Sequence, residues 1–161
     1  MAIQVTKLPG ADQHSEIADL DALPPEFTRL LDEPIYATVA TLRKSGPPHL
    51  TVVWCDRDKD FVYINSSKGR VKDRNLRVRP EVTLHLMNPA NSYHWMTVEG
   101  KVVEIVDEED PERAAEVTKH IDDLGEFYVK KRPYPNRFPG EVRVKYKIQP
   151  TRIVCFGPLG G

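Results

Sequence analysis

Hydrophobic and polar positions alternate with a period of two through most of the chain. The segments are "IYATVATL" (35–42), "HLTVVWC" (49–55), "FVYINS" (61–66), "EVTLHLM" (81–87), "YHWMTVEGKVVEIV" (93–106), "EVRVKYKI" (141–148) and "RIVCF" (152–156). Each is rich in β-branched and aromatic residues, the signature of half-buried strands. Two stretches follow a helical period instead. In "LPPEFTRLLDEP" the prolines Pro24 and Pro25 open a helix that puts Phe27, Leu30 and Leu31 on one face and stops at Pro34. In "DPERAAEVTKHIDDLG" Asp110 reads as N-cap, Ala114, Val117, Ile121 and Leu124 as the apolar stripe, and Gly125 as terminator.

"RKSGPP" and "DRDKD" are short enough to close hairpins, whereas the third and fourth strands are joined by a longer segment with room for a helix. Six or seven short strands with helices at a few connections predict a mainly β fold, an antiparallel barrel with peripheral helices. Residues 1–22 show no sustained periodicity and are expected to form a mobile or loosely docked arm, with 23–161 as one domain. No repeat and no Gly-rich phosphate loop is present, and alternating βα units are missing.

The 161 residues carry a net charge of −1 and 40% hydrophobic content, enough for one buried core and without the footprint of a protein that coats nucleic acid or membrane. Cys55 and Cys155 lie in apolar runs and read as buried free thiols of a reducing cytoplasm. No apolar window suits a signal peptide or a membrane span. The five histidines lack ligand spacing, so no metal site is expected.

Against this even balance, "NSSKGRVKDRNLRVRP" (65–80) holds six lysines and arginines and one acid. If a helix begins near Gly69, then Arg70, Lys72 and Arg74 stand at its amino end, where backbone N–H groups already favour an anion. Two readings are open: a solvated helix whose bases pair with Asp73 or Glu81, or a grip for a phosphate. Asn65, Ser66 and Ser67 either cap that helix or bond the same anion. Asn75 either meets a polar partner or faces water. Leu50, Val52 and Trp54 suit core packing and a flat ring equally, and Tyr93 and Trp95, two apart on a strand, suit either a core or an interface.

The successive stretches "YATVATLRKSGPPHLTVVW", "YINSSKGRVKDRNLRVRPEV" and "NPANSYHWMTVEGKVVEI" resemble the pyridoxamine 5′-phosphate oxidase-like split β-barrels, FMN-binding-protein-like in fold, and within them the branch that uses coenzyme F420. The A-T-x-x-x-x-G-x-P opening, the K-x-R-N-L helix and the late V-E-G carry the similarity. It implies a homodimer with two cofactor sites at its interface. Arg70 and Lys72 would hold the cofactor phosphate, and Asn65, Val71 and Asn75 would line its path. The strand His49–Trp54 would run beside the ring, with backbone groups near Val52 and Val53 at its polar edge. Tyr93 and Trp95 would come from the partner subunit, and Lys68 would contact the distal tail. The implied activity is hydride transfer between reduced F420 and a small conjugated acceptor. The alternatives are an FMN oxidoreductase of the same fold and a non-catalytic flavin-binding module. Tyr128, Lys131 and Tyr134, on the loop after the second clear helix, are candidates for shaping the substrate side.

Overall fold

The computed structural model describes residues 2–9 and 13–159. Nine strands form one sheet: β1 (Ile3–Leu8), β2 (Gln13–Ile17), β3 (Ala37–Leu42), β4 (Pro48–Val53), β5 (Cys55–Arg57), β6 (Val62–Ser67), β7 (Glu81–Met87), β8 (Trp95–Asp107) and β9 (Arg143–Phe156). Three helices are inserted: α1 (Pro25–Asp32), α2 (Val71–Val78) and α3 (Ala114–Val129).

The 14-residue β9 organises the sheet. Along one edge it pairs antiparallel with β8; along the other, its first half pairs with β6 and its second half runs parallel to β1. From β8 the order continues through β7 and β3 to β4, while β5 hangs on β6. Register shifts between Glu99 and Gly100 and between Val102 and Glu104 let β8 bend with its partner. Gly100 is required there, because a Cβ would lie 2.4 Å from the Gln149 carbonyl oxygen. This explains the glycine of the V-E-G motif.

The barrel does not close: β4 and β5 are consecutive in sequence but do not pair with one another, and Trp54 sits in the break between them. Inside lie Val39, Leu84, Val98, Tyr146 and Ile148, with Phe27, Leu30 and Leu31 of α1 against the same core. Cys55 and Cys155 are buried free thiols. Burial pushes each thiol up to about 12, so both stay protonated at neutral pH.

Five sequence expectations change. The stretches 141–148 and 152–156 are one continuous strand, and 49–55 is divided at Trp54. The expected N-terminal arm supplies β1 and β2: Ile3 and Val5 alternate into the core, and β1 takes the free edge of β9. Residues 1, 10–12, 160 and 161 of the expected arm and domain lie outside the described residues. Gly125 does not end α3, which continues to Val129 and stops at Lys130 in the left-handed region. A glycine fits within the helix because a Cβ would meet the Lys131 carbonyl oxygen at 2.9 Å. Asp110 caps the turn before α3, accepting from the Glu112 N–H at 3.0 Å, and Arg113 occupies the N-cap position.

A candidate anion and ring pocket at the sheet opening

A pocket of about 300 Å³ opens where the sheet is split. Its walls come from the end of β4 with Trp54, from β6, from the start of α2, and from Ile121 and Leu124 of α3.

The apolar wall is a stack of rings. Trp54 lies face to face on Tyr128, with centroids 5.3 Å apart and planes 6° apart. Tyr36 also stacks on Tyr128, at 5.7 Å, and Tyr134 meets Trp54 edge-on. The Tyr128 hydroxyl fixes the stack by donating toward the carbonyls of Ile35 and Cys55 at 3.1 and 2.9 Å and accepting from the Cys55 N–H at 3.2 Å. Val52 and Val53 continue the wall along β4.

The polar wall is built on a relay that runs inward from the half-exposed Asp56. Asp56 accepts from His120 Nε2 at 3.0 Å, which leaves Nδ1 as the acceptor for the Asn65 amide at 3.3 Å. With its N–H₂ so engaged, Asn65 turns Oδ1 toward Arg143 Nε at 2.9 Å. Arg143 in turn reaches Ser67 Oγ and Glu141 Oε1, each at 3.0 Å, and lies over the Tyr134 ring. Asn65 and Ser67 therefore do not cap α2. Its N-cap position is Arg70, and Asp73 turns back to accept from the Gly69 N–H at 2.8 Å while also accepting from the Tyr146 hydroxyl at 2.7 Å.

Two groups in this wall lack partners. The Ser66 hydroxyl is buried with no hydrogen bond. Lys72 is 7% exposed and has neither a hydrogen bond nor an ion pair among the described residues. Burial, and then the charges of Arg70 and Arg143, push its ammonium down to about 8. Arg70 lies at the mouth, paired with Glu141 at 3.2 Å. A buried cation held beside two guanidiniums without a counter-ion is costly. With a free hydroxyl lining the same pocket, this is a donor set that fits a phosphate ester.

Of the residues singled out from sequence, Val52, Val53, Trp54, Asn65, Arg70 and Lys72 meet in this pocket. His49 lies outside it, its Nδ1 3.2 Å from Arg43. Lys68 is turned to the surface acids Asp107 and Glu109. Val71 and Asn75 face a separate shallow groove with Arg43, Lys44 and Arg74; Asn75 finds its polar partner there, donating to Thr41 Oγ1 at 3.0 Å. Trp95 stacks on Phe156 on the outer face of β8. It lies three strand spacings, roughly 14 Å, from Trp54. Tyr93 is exposed beside it. Tyr134 lines the pocket, Tyr128 supports it from behind, and Lys131 is exposed. Sequence reasoning missed Tyr36, Ser66 as an unpaired group, Ile121, Leu124 and Arg143.

Residues 23–155 match the family model described as pyridoxamine 5′-phosphate oxidase. The chain belongs to that family. Among solved structures, this family member is similar to an F420 reductase at 27% identity and a TM-score of 0.69, over 81% of this chain and 98% of the other. A conserved hypothetical protein of Mycobacterium tuberculosis aligns at 23% identity and a TM-score of 0.59, covering 79% and 85% of the two chains. A haem storage protein of Vibrio cholerae aligns at 17% and 0.61, covering 84% and 95%. The last two likenesses concern the fold alone. No curated protein matches the sequence. No helix among the described residues is long and apolar enough to cross a membrane.

Proposed function

We propose that this protein binds a phosphorylated flavin-type cofactor, F420 in the first place, and acts as an oxidoreductase on a small conjugated acceptor. One observation carries the reading: Lys72 is buried with no partner among the described residues, in one pocket with Arg70, Arg143 and the unbonded Ser66 hydroxyl, whose other wall is aromatic and apolar. The similarity to an F420 reductase supports F420 over FMN, which carries its phosphate on the same kind of ribityl chain.

The bound cofactor would supply the hydride chemistry. Lys72, Arg70 and the Ser66 hydroxyl would hold its phosphate. Among the described residues β4 pairs only with β3, so its other edge at Val52 and Val53 offers backbone amides to the polar edge of a ring. The Trp54–Tyr128–Tyr36 stack, locked by the Tyr128 hydroxyl, would give that ring a fixed wall and exclude water behind it.

A homodimer belongs to the same proposal. Leu50 and Val52 of β4, Met87 of β7 and Tyr93 stay exposed on the outer side of the sheet, a face that a second copy would cover. Tyr93 and Trp95 are too far along that face to serve their own pocket and would serve the partner's.

Titrating the apo-protein with F420 and with FMN, side by side, tests the reading. Arg70→Ala and Lys72→Ala should each loosen binding by about tenfold or more while the melting curve stays cooperative. Unchanged affinity in both variants would return α2 to the role of a solvated helix. Val52→Glu should shift sedimentation toward a monomer; an unaltered profile would remove this face from the assembly.

A further inference from the structure

Three cations line the pocket, and they differ in what they can give up. Arg70 and Arg143 both pair with the Glu141 carboxylate, at 3.2 and 3.0 Å, and a guanidinium keeps its proton in any case. Lys72 is buried, opens onto the pocket, and has no hydrogen bond or ion pair among the described residues. Burial first, and then the charges of Arg70 and Arg143, push its pKa from 10.5 down to about 8. At pH 7 about a tenth of Lys72 is therefore free amine, against roughly one part in three thousand for a lysine of ordinary pKa. Lys68, Lys119 and Lys145, by contrast, each pair with a carboxylate. Desolvation beside other cations in a partly apolar pocket is the setting that turns a lysine into a nucleophile.

Resting on the reading that this pocket receives a phosphate, we infer that Lys72 of the cofactor-free protein forms an imine with a planar aldehyde that carries a phosphate. The free amine attacks the aldehyde carbon; a C–N bond forms as the C=O bond opens, and the oxygen leaves as water. The imine nitrogen retains a proton, so an ammonium is exchanged for an iminium and no charge is lost. Arg70, Lys72 and Arg143 less Glu141 leave the pocket at a net charge of +2, which a phosphomonoester of charge close to −2 neutralises both before and after the condensation. Once the Lys72 nitrogen is bonded to carbon, Arg70 at the mouth and the unpaired Ser66 hydroxyl are the donors left for the phosphate. Trp54 and Tyr134 give the ring an aromatic wall in the same pocket. The aldehyde and the cofactor would thus compete for one set of phosphate donors, and hydrolysis of the imine would return the amine.

The probe is 4-formylphenyl phosphate, with 4-methoxybenzaldehyde as its phosphate-free counterpart. Each is incubated at about pH 7 with the cofactor-free protein and sodium cyanoborohydride, which reduces the iminium to a stable secondary amine. Intact mass and peptide mapping then count and place the adducts. The wild-type chain should take up one adduct on Lys72, about tenfold or more faster than on any exposed lysine. The phosphate should speed that labelling by about tenfold over the phosphate-free aldehyde, and bound F420 or FMN should block it. Lys72→Arg keeps the cation but cannot form an imine, and should lose this adduct and no other. An unmodified Lys72 in the wild-type map, or adducts spread evenly over the exposed lysines, would overturn the inference without recourse to a variant. If the cofactor binds and Lys72 stays unmodified, the imine fails and the phosphate reading stands. If both aldehydes label Lys72 equally and neither cofactor blocks them, the phosphate reading fails and takes the phosphate half of the inference with it.

Discussion

Lys68 and Lys72 are four residues apart in one basic run, and the fold treats them oppositely. Lys68 lies on the surface against Glu109 and Asp107, whose hydrogen bonds push its pKa up. Lys72 is buried against two guanidiniums, has no acid, and is pushed down to about 8. The same contrast runs through the molecule. Around α3, Arg113 pairs with Glu104 and Glu116, Lys145 with Glu116, Lys119 and Arg132 with Asp123, and Arg137 with Glu108. That surface is neutralised from within and asks for no ligand. A local excess of positive residues is therefore not the signal. What distinguishes the pocket is a cation that burial has separated from every acid among the described residues.

The largest expected effect tests the cation that lies between these two cases. Arg143 is as buried as Lys72 but has hydrogen-bond partners, Asn65, Ser67 and Glu141. Arg143→Ala would strip the Asn65 carbonyl of its donor and leave the Glu141 carboxylate with Arg70 as its one remaining cation beside the Ser67 hydroxyl and the Phe138 N–H, a loss of about 3–5 kcal/mol. Urea unfolding would measure it. A loss below about 1 kcal/mol would mean that the relay from Asp56 through His120 and Asn65 holds nothing in place.

The direct comparison comes next. Lys72→Met should lose about tenfold or more in cofactor affinity and yet raise the melting temperature, because an unpaired charge leaves a buried site. Lys68→Met should alter affinity by no more than about twofold. Equal losses in the two variants would erase the distinction between paired and unpaired bases.

Acid–base linkage gives a third and smaller effect. With Lys72 near 8 when unliganded, anion binding above that pH must take up a proton, so affinity should fall by up to about tenfold between pH 8 and 9. Stability moves the other way. The folded pKa lies below the unfolded value of 10.5, so the unfolded chain binds more protons between about 8 and 10.5, and the penalty of burying the ammonium is relieved as pH rises through that window. Lys72→Arg, which does not titrate there, should flatten the binding profile. A wild-type profile that is flat from pH 7 to 9 would place a different group at the phosphate.

The longer strands of the barrel were legible because each carries a period-two signal of its own, and α1 because Phe27, Leu30 and Leu31 repeat with a helical period; the three-residue β5 was too short to show one. β1 was not. Ile3 and Val5 give two inward positions, and the edge they occupy belongs to Ile153 and Cys155 at the opposite end of the chain. In the pocket, Arg70 and Lys72 stood out through local charge density, and Trp54 through its strand. Arg143 did not, since in "EVRVKYKI" it is one of three alternating bases that look equally solvated. Only the register opposite Ser67 and the turn of Asn65 toward it draw Arg143 inside while Lys145 and Lys147 stay on the sheet's more open side. Lys68, Val71 and Asn75 were grouped with the cofactor site by the family resemblance alone. The helix separates them, because Val71 and Asn75 share a face that points away from the side on which Lys72 is buried.

Ser66 offers the finest test of whether the unpaired groups are there for a ligand. Its hydroxyl is buried without a partner, and such a group ordinarily lowers stability. Ser66→Ala should therefore leave the unliganded fold unchanged or more stable by up to about 1 kcal/mol, while affinity for the phosphate-bearing cofactor drops by roughly threefold to tenfold, the loss of one hydrogen bond to a charged acceptor. Calorimetry with and without ligand reads both numbers on one sample. A gain in stability with no loss of affinity would make the orphaned hydroxyl a packing imperfection, and Lys72 with Arg70 would then have to hold the anion without it.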